Sequence, residues 1–142
     1  MQQRSDSFRL EFDASNKILR LIVDGAVTDQ LLLDGYVALQ QGRARCGACV
    51  CIVDYTGATD INISTPGVRQ LANTKPIFPT ACLTLNVAPQ KLMYGLARMF
   101  QMLSSESRPN FRVVQTMEEA LALIGVKSAN FSPVELDMKQ AG

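Results

Sequence analysis

The sequence predicts an α/β fold built on a mixed, mostly parallel five-stranded sheet, and three observations predict it. Four short apolar runs recur along the chain: Ile18–Val23, Ala48–Val53, Ala81–Val87 and Phe111–Gln115. Each is followed by a helix-start signal, at Thr28, Thr65, Pro89 and Thr116. Between runs there is room for a helix, which parallel neighbours need because their crossover cannot be a tight turn.

The elements follow in order. Phe8, Leu10 and Phe12 alternate with Arg9 and Glu11, the pattern of a half-exposed strand. Asp13-Ala14-Ser15-Asn16 supplies turn chemistry and Lys17–Val23 returns, so the pair reads as a hairpin. Asp24-Gly25 ends it. Thr28 caps a helix over Asp29–Gln41, with Gly42 as its stop. Ala48–Val53 is apolar on both faces, as a central parallel strand should be. Asp54–Ile63 reads as the longest connection. Thr65-Pro66 opens a short helix over Pro66–Asn73, with proline where its missing N–H costs nothing. Lys75–Pro79 holds two prolines and stays irregular. A longer helix over Pro89–Ser105 carries Leu92, Leu96, Met99, Phe100 and Leu103 as its stripe. Thr116-Met117-Glu118-Glu119 is a capping box that opens the last helix, Met117–Ile124, and Gly125 stops it. Residues 8–125 thus form one domain. Val126–Gly142 is a tail, either loose or a short docking helix around Val134–Gln140.

Composition narrows the function classes. A chain of 142 residues with 47% hydrophobic and 19% charged residues is an ordinary globular domain. A net charge of +1 provides no field to steer it to nucleic acid, so no nucleic-acid partner is expected. Spanning a bilayer takes about 20 consecutive apolar residues, and the chain has no such run. Met1–Ser7 is polar and lacks a signal-peptide core, so a cytoplasmic protein is expected. Histidine is absent, which removes the commonest base near neutral pH and the commonest metal ligand. No enzyme motif, cofactor motif or metal set stands out, and none is expected.

Cys46-Gly47-Ala48-Cys49 has redox spacing, but it leads into a strand rather than out of one into a helix. Extended residues at odd spacing point to opposite faces. Cys49 and Cys51 share a face at about 6.5–7 Å, too far for a relaxed disulfide. A zinc site of Cys49, Cys51 and Cys82 lacks a fourth ligand unless Cys46 bends inward. The expectation is four structural thiols, with Cys49, Cys51 and Cys82 buried in the sheet. Redox and metal roles stand as the alternatives.

Several spaced fragments look like the STAS-like, or SpoIIAA-like, group of small bacterial proteins. They are Ile18-Leu19-Arg20 leading to Gly25-Ala26-Val27-Thr28, Ile52-Val53-Asp54, Tyr94-Gly95-Leu96-Ala97-Arg98-Met99-Phe100 and Glu118-Glu119-Ala120-Leu121. The resemblance spans roughly Phe8–Gly125. It implies a right-handed superhelix of strand–helix turns and a regulatory or protein-interaction role. In anti-sigma-factor antagonists of this superfold, a serine at the start of the second helix is phosphorylated. Related CRAL-TRIO domains carry lipids. The usual Asp-Ser-Ser-Gly is here Asn62-Ile63-Ser64-Thr65-Pro66-Gly67, so proline stands where the modified serine would be. Ser64 or Thr65 could take that part after a small shift; otherwise Thr65 is an N-cap.

Strand ends place Asp24, Gly25, Asp54–Gly57, Asn86 and Thr116 at the crevice of an open α/β sheet. Asp24 and Asp54 either form a like-charge pair or bond local backbone. The expected partner or ligand surface is Asp54, Tyr55, Thr56, Asp60, Ser64 and Thr65, where strand ends, a long loop and helix donors meet. Met93 and Tyr94 on the third helix mark the rival, apolar-ligand surface, with Met102 beside them. If every turn has one hand, the helices gather on one face, and the bare face needs a cover. A second copy of the chain in a homodimer, the tail, or a small apolar or lipid-like ligand would supply it, with membrane contact left open.

Overall fold

The computed structural model describes residues 8–136. Phe8–Asp13 (β1) and Ile18–Thr28 (β2) form the expected antiparallel hairpin, Phe8 opposite Val23 and Asp13 opposite Ile18. Buried Asp13 organises the turn: Asn16 donates to it from its backbone N–H at 3.2 Å and from its amide at 2.8 Å. Asp29–Cys46 (α1) starts on Thr28, whose hydroxyl accepts from the Leu31 N–H at 3.1 Å. It runs past Gly42, the expected stop. Gly42 is a buried contact: a Cβ there would overlap the Leu10 side chain, so only glycine lets α1 lie this close to the sheet. The stop is Gly47, at φ 66°, whose N–H bonds the Arg43 carbonyl at 2.8 Å.

The strand Val50–Asn62 (β3) replaces the expected connection over Asp54–Ile63. Its far half pairs with Asp24–Thr28 of β2 after two one-residue register shifts, each adding a residue to β3. Asp24-Gly25 looks like punctuation, yet both strands carry on through those bulges. Thr65–Ala72 (α2), Thr84–Val87 (β4), Lys91–Leu103 (α3), Phe111–Val114 (β5) and Met117–Ile124 (α4) follow within a few residues of expectation. The capping box at Thr116 and Glu119 is present, and α4 ends on Gly125 at φ 85°.

Among the described residues the sheet has six strands in the order β5-β4-β3-β2-β1-β6, where β6 is Ser132–Pro133. Strands β2 to β5 are parallel and adjacent in chain order. The sixth strand corrects the expected five, and it comes from the tail. Ser132 and Pro133 pair antiparallel with Phe12 and Glu11, and the Val134 N–H bonds the Leu10 carbonyl at 2.8 Å. Proline is tolerated there because an edge strand has a side that needs no donor. Asn130 donates its N–H to Asp13 at 3.1 Å, so one carboxylate holds both the hairpin turn and the tail. The expected docking helix falls mostly outside the described residues; Val134–Leu136 are not helical.

Alternate residues of the strands face two interiors. Leu19, Leu21, Cys51 and Tyr55 look toward α1 and α3, whereas Ile18, Ile52, Leu85 and Val87 look the other way. The second face is not bare. Ala120, Met117 and Ile124 of α4 cover it, joined by Val126 and Phe131 of the tail. Toward β1 it is finished by charge: Arg20 donates to Glu11 at 2.6 Å, lies 4.0 Å from Asp54 and stacks on Phe131 at 4.2 Å. Of the covers the sequence left open for this face the tail supplies one, and α4 supplies the rest, so the helices do not all gather on one face. Among the described residues, no helix is long and apolar enough to cross a membrane.

Candidate functional site

Between the sheet and helices α1–α3 lies an apolar cavity of about 140 Å³. That is close to the ~150 Å³ of an engineered apolar cavity able to hold benzene. Its floor is Leu21, Val23, Cys51, Val53, Tyr55 and Asn86. Its roof is supplied by Leu32, Leu39, Val68, Met93, Leu96 and Phe100, and the irregular Pro76–Thr80 segment closes one side. Exposed Pro76, Pro79 and Thr80 form the rim. Val53 registers the space directly. It sits on a strand with neighbours on both sides, yet it is only half-buried.

Among the described residues, several polar side chains line this space without a hydrogen bond; Asn86 and Tyr55 are the most deeply buried, and the Thr84 hydroxyl on the same face of β4 is another. Asn86 lies beside Val53 in the β3–β4 register, is 9% exposed, and makes no side-chain hydrogen bond among the described residues. Among the described residues, the fully enclosed side-chain polar atoms without partners are Arg20 Nε, Gln41 Oε1, Arg43 Nε and Gln90 Oε1. The Asn86 amide is not one of them; it opens onto the cavity. Tyr55 is 5% exposed, and its hydroxyl likewise has no partner among the described residues. Burial sets the chemistry here. It pushes the Cys51 thiol up to about 12. It also raises the Tyr55 phenol above its ordinary value of 10.0, with the neighbouring Cys51 adding to the shift. Both groups are neutral across the physiological range.

The fold supports the floor at its weakest point. Strand β4 ends at Val87, so β3 has no neighbour on that side beyond Asp54. The Gln90 amide takes over, donating to the Tyr55 carbonyl at 2.8 Å and to the Ala58 carbonyl at 2.9 Å. Toward the other end, Arg108 lines the cavity but is committed. It donates to the Ala72 carbonyl at 3.2 Å and to the Thr74 carbonyl and hydroxyl at 3.1 and 3.0 Å, over the Phe100 ring.

The eight expected site residues separate. Tyr55 and Met93 meet in the cavity. Asp54 is buried on the opposite face, accepting from the Thr56 N–H at 3.0 Å and its hydroxyl at 2.5 Å. Asp24 accepts from Arg9 at 2.7 Å, so the two aspartates are engaged locally rather than with each other. Thr56 and Asp60 are exposed on the extended β3, and Tyr94 is half-buried against the first core outside the cavity lining. Ser64 and Thr65 are exposed at the start of α2, but the cap is Ser64, not Thr65. Its hydroxyl accepts from the Gly67 N–H at 3.0 Å and donates to Asp29 at 2.6 Å, and its N–H donates to Asp29 at 2.9 Å. A Cβ on Gly67 would overlap the Asp29 carboxylate, which explains glycine there. These bonds, the Ser64 side chain first, hold Asp29 below the ordinary carboxylate range.

The cysteines also scatter. Cys51 is buried as expected, but Cys49 is exposed and Cys82 half-buried. Cys49 precedes β3, its N–H tied to the Lys17 carbonyl at 3.0 Å, and Cys82 precedes β4. Neither lies in a strand, so the alternation argument does not reach them. Sequence reasoning placed Asn86 at the crevice of the sheet without counting it a site residue, and it missed Gln90. The signal for Asn86 was a carboxamide between two apolar residues of a strand; Gln90 had none, because it acts on β3 carbonyls left free where β4 ends at Val87. No protein-family model, curated protein or solved structure matches this chain.

Proposed function

We propose that this chain is a non-catalytic binding module that takes a small, largely apolar molecule between its sheet and helices α1–α3. The observation that carries this is the cavity itself, a benzene-sized space floored by a central strand that native packing would normally fill. Two supporting features agree with a non-catalytic role. The chain has no histidine, and Cys51 and Tyr55 are held in their neutral forms. Strands in chain order with three helices on one face are also compatible with the STAS-like, right-handed superhelix that the sequence resembles, and a cytoplasmic setting fits that reading.

Native mass spectrometry of protein taken from cells tests the proposal. A low-mass adduct on the wild type, lost in Val53→Phe where the larger ring fills the space, is the expected result. No adduct, together with no response of the Leu21, Val53 or Leu96 methyl signals to toluene, would overturn it.

One further observation favours a regulatory reading alongside. Ser64 joins the starts of α1 and α2 through Asp29, and it is exposed. A phosphate on Ser64 would place two negative groups together and break that joint, altering a partner surface beside the cavity. Ser64→Glu should then change partner affinity with the fold retained. Self-association, if it serves this module, would use exposed Leu92, Met102 and Leu103 of α3 rather than the sheet.

A further inference from the structure

We infer that the molecule bound in the cavity carries one uncharged hydroxyl, as a phenol or small alcohol does, seated between the Asn86 carboxamide and the Tyr55 hydroxyl. The inference rests on the proposed binding role and specifies the chemistry of the occupant.

Asn86 is the residue that needs explaining. Its strand neighbours Leu85 and Val87 face the other interior and are fully buried, while Thr84, two residues before it, shares its face at the cavity wall. A carboxamide placed inward on such a strand gives up most of its exposure, and among the described residues no side chain or backbone group takes up its hydrogen bonds; its amide reaches only the cavity. A structural asparagine would bond backbone, as Gln90 does to the Tyr55 and Ala58 carbonyls. Asn86 instead presents a donor and an acceptor to open space, with Val53 beside it. Tyr55 lies two residues further along the same face of β3.

A hydroxyl matches this pair. It has one proton to give to the Asn86 carbonyl oxygen and lone pairs to accept from the Asn86 amide or the Tyr55 O–H. Charge is disfavoured from both directions. The cationic group lining the cavity is Arg108, whose guanidinium is spent on Ala72 and Thr74. The surroundings also keep Cys51 and Tyr55 protonated, and a carboxylate placed among them would meet the same desolvation cost. The rest of the occupant is apolar, because Leu96, Ile77, Phe78 and Phe100 surround the remaining space. The volume admits one six-membered ring with a small substituent.

Titration of the full chain with p-cresol, toluene and 4-methylbenzoate, followed on the backbone and methyl signals, tests this. The three probes share a ring and differ in the head group. The expected result is p-cresol binding about tenfold or more tighter than toluene, with 4-methylbenzoate weakest. Asn86→Leu should erase the preference for p-cresol while toluene still binds. Tyr55→Phe, which keeps the ring in place, should reduce the preference in part. Toluene binding as tightly as p-cresol to the wild type, or a preference that survives Asn86→Leu, would overturn the inference and leave the cavity as a plain apolar site. Tightest binding of 4-methylbenzoate would overturn it in favour of an acid held by Arg108. If none of the three probes moves signals from the cavity, the binding role itself fails, and this inference with it.

Discussion

Ile52 and Val53 are adjacent on the central strand and look onto two different interiors. Ile52 is fully buried among Ile18, Leu85, Val87 and Ala120, under a helix and a returning tail. Val53 is half-buried over a cavity, beside a carboxamide with no hydrogen bond among the described residues. The polar groups divide in the same way. On the Ile52 side, Glu11, Arg20 and Asp54 are drawn to one another, to Thr56 and to Phe131, with Arg20 Nε the one atom of that group enclosed without a partner among the described residues. On the Val53 side, Asn86 and Tyr55 are left open. A satisfied polar group explains itself as structure. An unsatisfied one next to empty space points to something that arrives later.

The contrast can be broken by mutation, beginning where the effect is largest. Ile52→Ala should destabilise the fold by about 3–4 kcal/mol, whereas Val53→Ala should cost under about 1 kcal/mol, because its side chain already borders a void. Urea unfolding of both variants measures the difference, and equal losses would mean that the two interiors are packed alike. Arg20→Ala should cost about 2–3 kcal/mol in the same assay, since it leaves the Glu11 and Asp54 carboxylates without their shared cation. At the helix junction, Ser64→Ala should cost about 1 kcal/mol while Thr65→Ala stays near zero, as only Ser64 caps α2. Asn86→Leu should be neutral or stabilising by about 0.5–1 kcal/mol, the opposite sign from its polar counterparts across the sheet.

The smallest effect is a titration. Asn16, then the desolvation that opposes it and the N–H of Asn130, set the Asp13 carboxyl, whose pKa is lowered on balance. A lowered folded pKa means stability that is present above the unfolded value of about 3.9 and is lost as pH falls through the folded value. The Asn130 amide signal should therefore hold its position down to the ordinary carboxylate range and move only below it. Movement starting above that range would mean that Asp13 does not anchor the tail.

Much of the architecture was legible because local chemistry and fold agreed. Thr28, Gly125 and the Thr116–Glu119 box mark helix ends that tertiary packing leaves alone. Gly42 misled for the opposite reason: a residue that normally ends helices is here a contact surface for Leu10 and Leu19. Asp24-Gly25 misled because a bulge uses the same residues as a turn. The sixth strand was hidden, since two residues containing a proline carry no strand signal and depend on Asp13 and Leu10 to hold them. Tyr55 and Met93 were visible as candidates but not as neighbours. Bringing them together takes the crossovers, and the cavity exists only once those helices are in place.

Xenon uptake followed on the methyl signals most directly tests the claim that one interior is open and the other closed. Xenon enters dry apolar cavities without needing a hydrogen bond, so it tests the space independently of any ligand. The expected result is saturable shifts at Leu21, Val53, Met93 and Leu96, with Ile18, Ile52, Leu85 and Val87 unmoved. Shifts of equal size on both faces, or none at Val53, would contradict it.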